Sequence, residues 1–369
     1  MLRQFLIIIA AGALLACSPQ AEQTDLLASR LAEINAAHPD MAGLAVWVER
    51  AGAGTSGGAA FGDAAPDGRA LDAQTPVRIA SNTKTYVAAA YLRLWESGLA
   101  PLDDPIEELI DPGFNALLAE DGYRTDLITP RHLLMHNAGL PDHADDTYVA
   151  AVFEDTQRQW TRAEQIAFLT VNHEPLGLPG EVFVYSDTGY ILLGHMIERI
   201  TGETLAAATR RLLRFDSIGL DQTWWEQVEQ PGEAIAARAH QYLGELDTTG
   251  FNASLDLYGG GGLIASPRDM ARFWSALFGG EVFEDPATLS VMLDAPGQVA
   301  PERYRLGVFI ETIGGMTVYS HSGFWGTYAV YVPELDVAMA AVTLDQEDFA
   351  AMRTLVHELV ADQAGHAPG

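Results

Sequence analysis

Positive charge and cysteine are what this 369-residue chain has least of. Twenty-one basic residues stand against 50 acidic ones, a formal net charge of −29 at pH 7, and no run of Arg or Lys concentrates the little positive charge present. Binding to nucleic acid rests on neutralising phosphates, so that class of function is excluded, and an anionic membrane surface is disfavoured as a direct ligand. The charge reads as a device for solubility. Cys17 is the single cysteine, which excludes an internal disulfide. Internal repeats and low-complexity tracts are absent. With 48% hydrophobic and 19% charged residues the chain is neither disordered nor fibrous, and its length provides ample core for one large domain or two coupled ones.

The amino terminus reads as a targeting segment. Arg3 supplies a positive start, and the apolar stretch from Phe5 to Ala16 is too short to span a bilayer, which takes about 20 residues in a helix. The stretch ends Leu14-Leu15-Ala16-Cys17, which resembles the lipobox of bacterial lipoproteins and implies lipidation of Cys17. Residues 1–17 are then a signal peptide, 18–25 a polar tether and 26–369 the folded domain. The expected location is the bacterial cell envelope, anchored by lipid on the periplasmic face, with the outer membrane as the anchoring layer. Membrane contact is expected through that anchor only.

Hydrophobic periodicity predicts a helix over 26–37, a strand over 42–49, a turn-rich stretch over 52–68 and a short strand over 77–80, followed by a helix from Ser81 to Gly98. The middle, 101–245, is mostly helical in pattern. Thr129-Pro130 reads as a helix start, Thr161 with Glu164 as a capping box, and a helix opens at Asp187 or Thr188 and stops at Gly202. Strands return over 305–312, 316–320, 327–332 and 337–342, separated by turns too short for anything but antiparallel pairing, and 345–363 closes as a helix. The fold class is α+β: an antiparallel sheet from about 26–100 and 246–369 flanked by helices, with a mostly helical inserted part.

Lys84 is the only lysine among the basic residues. In Ser81-Asn82-Thr83-Lys84 it stands three residues after a serine at the start of a helix, so both side chains share one face. Arg is always charged, whereas a buried Lys at the positive end of a helix is pushed toward neutrality and becomes a base beside a nucleophile. With Tyr185-Ser186-Asp187 and His321-Ser322-Gly323 following in order, the chain resembles the serine β-lactamase and penicillin-binding protein superfamily, in its branch of class C β-lactamases, DD-peptidases and related esterases. Further likeness lies in 128–141 and 260–273.

The resemblance implies a β-lactamase/transpeptidase-like fold and an acyl-enzyme on Ser81, with Lys84 and Tyr185 sharing the proton handling. Which of those two is deprotonated stays open at this point. It also implies an oxyanion hole from the backbone N–H groups of Ser81 and Phe324, and roles for Asp187, His321, Ser322 and Gly323 in contacting substrate or tuning Tyr185. Two departures bear on substrate. Asp187 replaces the family's Asn, and His321, only partly charged near neutrality, replaces its frequent Lys. Both subtract positive character, which shifts weight from carboxylate-bearing β-lactams and D-Ala-D-Ala peptides toward esters or neutral amides.

The reading calls for no metal and no organic cofactor, and for a small-molecule or peptide substrate; it sets no oligomeric state. Two other classes compete with it. A non-catalytic binder of the same fold is disfavoured because Ser81, Lys84 and Tyr185 are all present. A metal hydrolase could use His132 and His136, four apart, with Asp142, His143, Asp145 and Asp146 nearby, but neither this pair nor His357-Glu358 completes a metal motif. Gly54-Thr55-Ser56-Gly57-Gly58 mimics a hydrolase elbow without a following helix and reads as a hairpin tip, and Gly259 to Gly262 reads as a place of close backbone approach beside the cleft. The anchor is tested by Cys17→Ala, which is expected to move the protein from the membrane pellet to the soluble envelope fraction; unchanged membrane association removes the lipoprotein assignment.

Overall fold

The structure is a computed structural model and describes residues 19–50, 56–232 and 235–364. The expected signal peptide with Cys17, and Gly54 and Thr55 of the expected hairpin tip, lie outside the described residues. From α1 (Pro19–Ala37) the chain enters β1 (Gly43–Arg50) and β2 (Gly57–Gly62), then β3 (Val77–Arg78), a 3₁₀ turn (Ala80–Asn82) and α2 (Thr83–Glu96). The middle holds α3 (Pro112–Glu120), α4 (Pro130–Leu134), α5 (Asp146–Glu154), α6 (Arg162–Asn172), α7 (Asp187–Thr201), α8 (Leu205–Leu212) and α9 (Phe215–Ile218). Short strands β4 (Trp224–Trp225), β5 (Tyr242–Leu243), β6 (Leu246–Asp247) and β7 (Leu263–Ala265) lead to α10 (Pro267–Phe278) and α11 (Pro286–Asp294). The chain then returns through β8 (Phe309–Ile313), β9 (Met316–Gly323), β10 (Thr327–Val332) and β11 (Val337–Thr343), and closes with α12 (Phe349–Ala364).

The main sheet runs β2-β1-β11-β10-β9-β8 with every neighbour antiparallel, so strands from the two ends of the chain meet at the β1–β11 seam. This is the β-lactamase/transpeptidase-like α+β arrangement. Side-chain alternation divides the core. Leu44, Val46, Val330 and Met339 face α1 and α12, where Leu27, Leu31, Met352 and Val356 cover them. Ala45, Ala329, Ala340 and Val342 face the other way, and their small size lets α10 lie close across β1, β10 and β11. On that side α2 is buried at every position from Thr83 to Leu92, because it packs against α7, α8 and α11 as well as the 3₁₀ turn before it. A helix enclosed in this way carries its polar residues into the interior.

Several boundaries differ from expectation. Residues 19–25 are not a tether but the first turns of α1, which pack on β2 and bury Gln23. The turn-rich reading of 52–68 missed β2, whose Gly-Gly-Ala-Ala composition carries little strand propensity. The small residues are needed there: a Cβ on Gly57 would stand 2.8 Å from Thr24 Oγ1 and one on Gly58 2.5 Å from the Trp47 ring. Strand β8 begins at Phe309, four residues late, since Gly307 turns with φ +86°. Conversely β9 runs on through His321 to Gly323. The predicted helix starts hold: Thr129 and Thr161 both form reciprocal capping boxes, and Gly202 ends α7 in the left-handed conformation.

Gly323 decides how near β9 comes to the turn that carries Ser81. A Cβ there would lie 2.1 Å from the Ile79 carbonyl oxygen and 2.4 Å from Thr327 Oγ1. Gly323→Ala must push strand and turn apart, and is expected to cost on the order of 1–3 kcal/mol in urea unfolding. Stability unchanged in that variant would mean that β9 is not held by this contact.

Candidate active site

Ser81 sits in the 3₁₀ turn between β3 and α2, and three sets of bonds hold that turn. Arg78 grips Glu226 through two nitrogens at 2.6 and 3.1 Å and donates to the carbonyls of Thr248 and Phe251. Gln241 accepts from the Arg78 N–H and donates to the carbonyls of Arg78 and Trp325, joining β3 to the β9–β10 turn. Asn82 is fully buried; with its amide oriented to satisfy its neighbours it donates to the His321 carbonyl and accepts from the Gly323 N–H and Thr327 Oγ1. Ala80, with φ +44°, turns the chain so that Ser81 opens toward the cleft.

Lys84, one turn on, has no solvent exposure, and its ammonium meets three acceptors: Ser81 Oγ at 2.9 Å, the Gly260 carbonyl at 2.6 Å and Asp187 Oδ1 at 2.5 Å. Burial alone would lower its pKa, but the charges of Asp187, Tyr185 and Asp256 outweigh that and hold it above the usual lysine value. The expected drift toward neutrality is therefore corrected. The local sequence around Lys84 does not contain Asp187, whose own carboxyl stays below the ordinary range because Lys84 and His143 oppose the effect of burial. Tyr185 borders the same cavity as Ser81, its ring centre 5.0 Å from the Lys84 ammonium, and burial raises its pKa despite the Lys84 charge. The His136 ring lies 4.3 Å from the Tyr185 ring and Phe309 stacks nearly parallel to it at 6.1 Å.

His321 is also buried, and burial with the nearby Lys84 charge lowers its pKa to about 3, so it is neutral rather than partly charged. Its Nδ1 donates to the Ser322 carbonyl at 2.9 Å, which leaves Nε2 to accept from the Tyr304 hydroxyl at 3.2 Å. The Ser322 side chain does not reach the Ser81 cleft. Strand alternation turns it to the opposite face, where it lines a separate cavity with Ser320, Glu311 and Arg353. Phe324, half exposed, lines the Ser81 cavity at the start of the β9–β10 turn.

That cavity, of about 240 Å³, brings Ser81 and Tyr185 together with three carboxylates, Asp142, Asp187 and Asp256, and apolar walls that include Tyr148, Phe153 and Phe251. Asp142 Oδ1 accepts from the N–H groups of Ala144 and Asp187 at 3.1 Å, so it caps the start of α7. Asp256 packs on the glycine run: a Cβ on Gly261 would fall 2.1 Å from its Oδ2, and one on Gly260 3.2 Å from Asp187 Cβ. The expected close approach at Gly259 to Gly262 is thus real. Asp256 itself went unnoticed in the sequence, and that run was the only pointer to it. The histidines weighed as metal ligands are engaged separately: His132 Nδ1 accepts from the Thr129 N–H, His136 Nδ1 from the Ser186 N–H, and His143 pairs with Thr188. Among the described residues, no three His, Cys, Asp or Glu side chains are grouped to hold a metal ion.

Burial, and then the charge of Asp187, push the carboxyls of Asp142 and Asp256 up to about 7. A carboxyl whose pKa is raised by folding stabilises the fold while protonated and loses that contribution as pH climbs from the ordinary carboxyl range through 7. Asp256→Asn is accordingly expected to gain stability relative to wild type, more at pH 8 than at pH 5, by on the order of 1 kcal/mol after screening at the open side of the cleft. Thermal melts at the two pH values check it, and an equal effect at both would contradict the assignment.

Comparison with known proteins comes to the same region of fold space. The Beta-lactamase family model matches residues 29–361. Penicillin-binding protein 4* of Bacillus subtilis (strain 168) is 26% identical over 290 residues, covering 71% of this chain and 58% of that protein. Esterase EstB of Burkholderia gladioli is 36% identical over 153 residues, 40% of this chain and 38% of that protein. The chain thus spans about half the length of these two relatives. Among solved structures, D-amino acid amidase from Ochrobactrum anthropi SV3 superposes with a TM-score of 0.75 at 21% identity, over 95% of this chain and 100% of that one.

Proposed function

Since the chain belongs to the beta-lactamase family, we propose that it is a serine hydrolase that forms an acyl-enzyme on Ser81 from an ester or amide donor and passes the acyl group to water. The observation that carries this reading is the contact of one buried lysine with the serine hydroxyl, beside a tyrosine whose ring centre lies 5.0 Å from that lysine and which borders the cavity of the serine. Ser81 Oγ attacks the acyl carbon as its proton moves onto the Tyr185 oxygen, and Tyr185, protonated in the free site because burial raises its pKa, passes its own hydroxyl proton to the leaving group. Lys84 is held as a cation by Asp187, so its part is to stabilise the negative charge that develops on Ser81 Oγ and on the Tyr185 oxygen during that relay. The backbone N–H groups of Ser81 and Phe324 receive the oxyanion. The leaving group departs with the proton, and water repeats the sequence on the acyl-enzyme. His321 and Gly323 act behind these groups, one by packing near Tyr185 and the other by letting β9 approach Ser81. Export and anchoring through Cys17 belong to the same proposal and rest on the amino-terminal sequence.

Charge supports the choice of donor. A substrate carboxylate would enter a cavity that three carboxylates line and whose one lysine is already paired. Short-chain esters are therefore expected to be turned over faster than nitrocefin or D-Ala-D-Ala peptides, and Ser81→Ala is expected to lower ester hydrolysis at least about a thousandfold. A fluorophosphonate should label Ser81 in the wild type, read by mass spectrometry. Labelling elsewhere, or full activity in Ser81→Ala, sinks the reading; nitrocefin turnover far above any ester sinks the charge argument alone.

A further inference from the structure

Building on the hydrolase reading, we propose that the acyl donor carries a cationic amine close to its scissile carbonyl, received by Asp142 and Asp256. Three carboxylates line the cavity that holds Ser81, and Lys84 is in contact with Asp187 alone among them. The other cation that Asp256 senses, Arg78, is already committed to Glu226 and to two backbone carbonyls. Asp142 spends one oxygen, Oδ1, on backbone N–H groups, and its side chain keeps 30% exposure. Asp256 takes no hydrogen bond among the described residues, although it lies within the cavity wall. Asp256, without a hydrogen-bond partner among the described residues, and Asp142, bonded through Oδ1 alone, face a partly apolar cavity with pKa values pushed up to about 7, and both gain from a cation that draws off their protons.

The cation is organic rather than a metal ion, because the lining supplies aromatic and aliphatic surface: Tyr148, Val149, Val152, Phe153 and Phe251 all border the same space. Such a wall receives an apolar substituent on the atom that bears the amine. Proximity to the reacting centre follows from the chain of contacts. Asp142 touches the Asp187 N–H at 3.1 Å, Asp187 touches Lys84 at 2.5 Å, and Lys84 touches Ser81 Oγ at 2.9 Å. Ser81, Asp142 and Asp256 border one cavity of about 240 Å³, so an ammonium at the carboxyls and a carbonyl at Ser81 belong to one small acyl group, such as an amino acyl group.

A matched pair tests this: phenylalanine ethyl ester, in both enantiomers, against ethyl 3-phenylpropanoate, which differs by the amine alone. Wild-type protein is expected to favour at least one amino ester by tenfold or more in kcat/KM, and Asp256→Asn to shrink that ratio at least fivefold, chiefly through KM. Equal or better turnover of the des-amino ester overturns the proposal, as does an unchanged ratio in Asp256→Asn. Protection of Ser81 from a fluorophosphonate by phenylalanine amide, compared with 3-phenylpropanamide, gives a reading that needs neither turnover nor the variant, and equal protection by the two amides is equally fatal. Should the probe label Ser81 while the amine brings no advantage, the hydrolase reading stands and the amine falls. Failure of the probe to label Ser81 removes both.

Discussion

A lysine without solvent contact is either neutral or paired, and Lys84 is paired. Its contact with Asp187 fixes the charge state on which everything around Ser81 depends. Removing one member of a buried pair leaves the other uncompensated, at about 3–5 kcal/mol, so neither residue is free to change alone. The pair also sets geometry. Asp187 is the first residue of α7 and Lys84 lies in the first turn of α2, so their contact locks together the starts of two helices that cross through the core. The glycines between Tyr258 and Leu263 follow from it, because the Gly260 carbonyl must reach Lys84 while its Cα passes close to Asp187.

The rest of the site is a seam between two bodies of structure. Ser81 comes from the turn before α2, Tyr185 and Asp187 from the helical part, and His321 and Gly323 from the sheet. Asn82 and Gln241 stitch those parts by hydrogen bonds to β9, β10 and the turn between them. Buried amides of this kind are stable only when every polar atom is met, which makes the seam rigid and fixes the position of the serine.

Electrostatically the cleft is unusual for having its positive charge spent. His136, His143 and His321 are all held below their ordinary pKa by burial, so none contributes a cation near neutrality. Against one lysine stand three carboxyls, two of them raised to about 7. Burial of acids near a nucleophile costs stability, and a cleft that keeps them there is shaped around what they contact in use.

Much of this was legible in one dimension because it is local. The helix after Ser81, the capping boxes at Thr129 and Thr161, the Gly202 stop and the antiparallel returns near the carboxyl end depend on neighbours within a few residues, and so do the three short motifs that carry the family resemblance. What failed is non-local. Strand β2 forms because α1 and Trp47 leave room only for glycine, a fact set by residues that its own sequence does not contain. The side of the sheet on which Ser322 falls follows from where β9 ends, and the neutrality expected of Lys84 was reversed by a carboxylate about a hundred residues away in the chain. The sequence by itself determined which residues could do chemistry. Only tertiary structure decided their charges, because a pKa depends on burial and on the charges within a few ångströms, and the fold alone brings Asp142, Asp187 and Asp256 to one cavity.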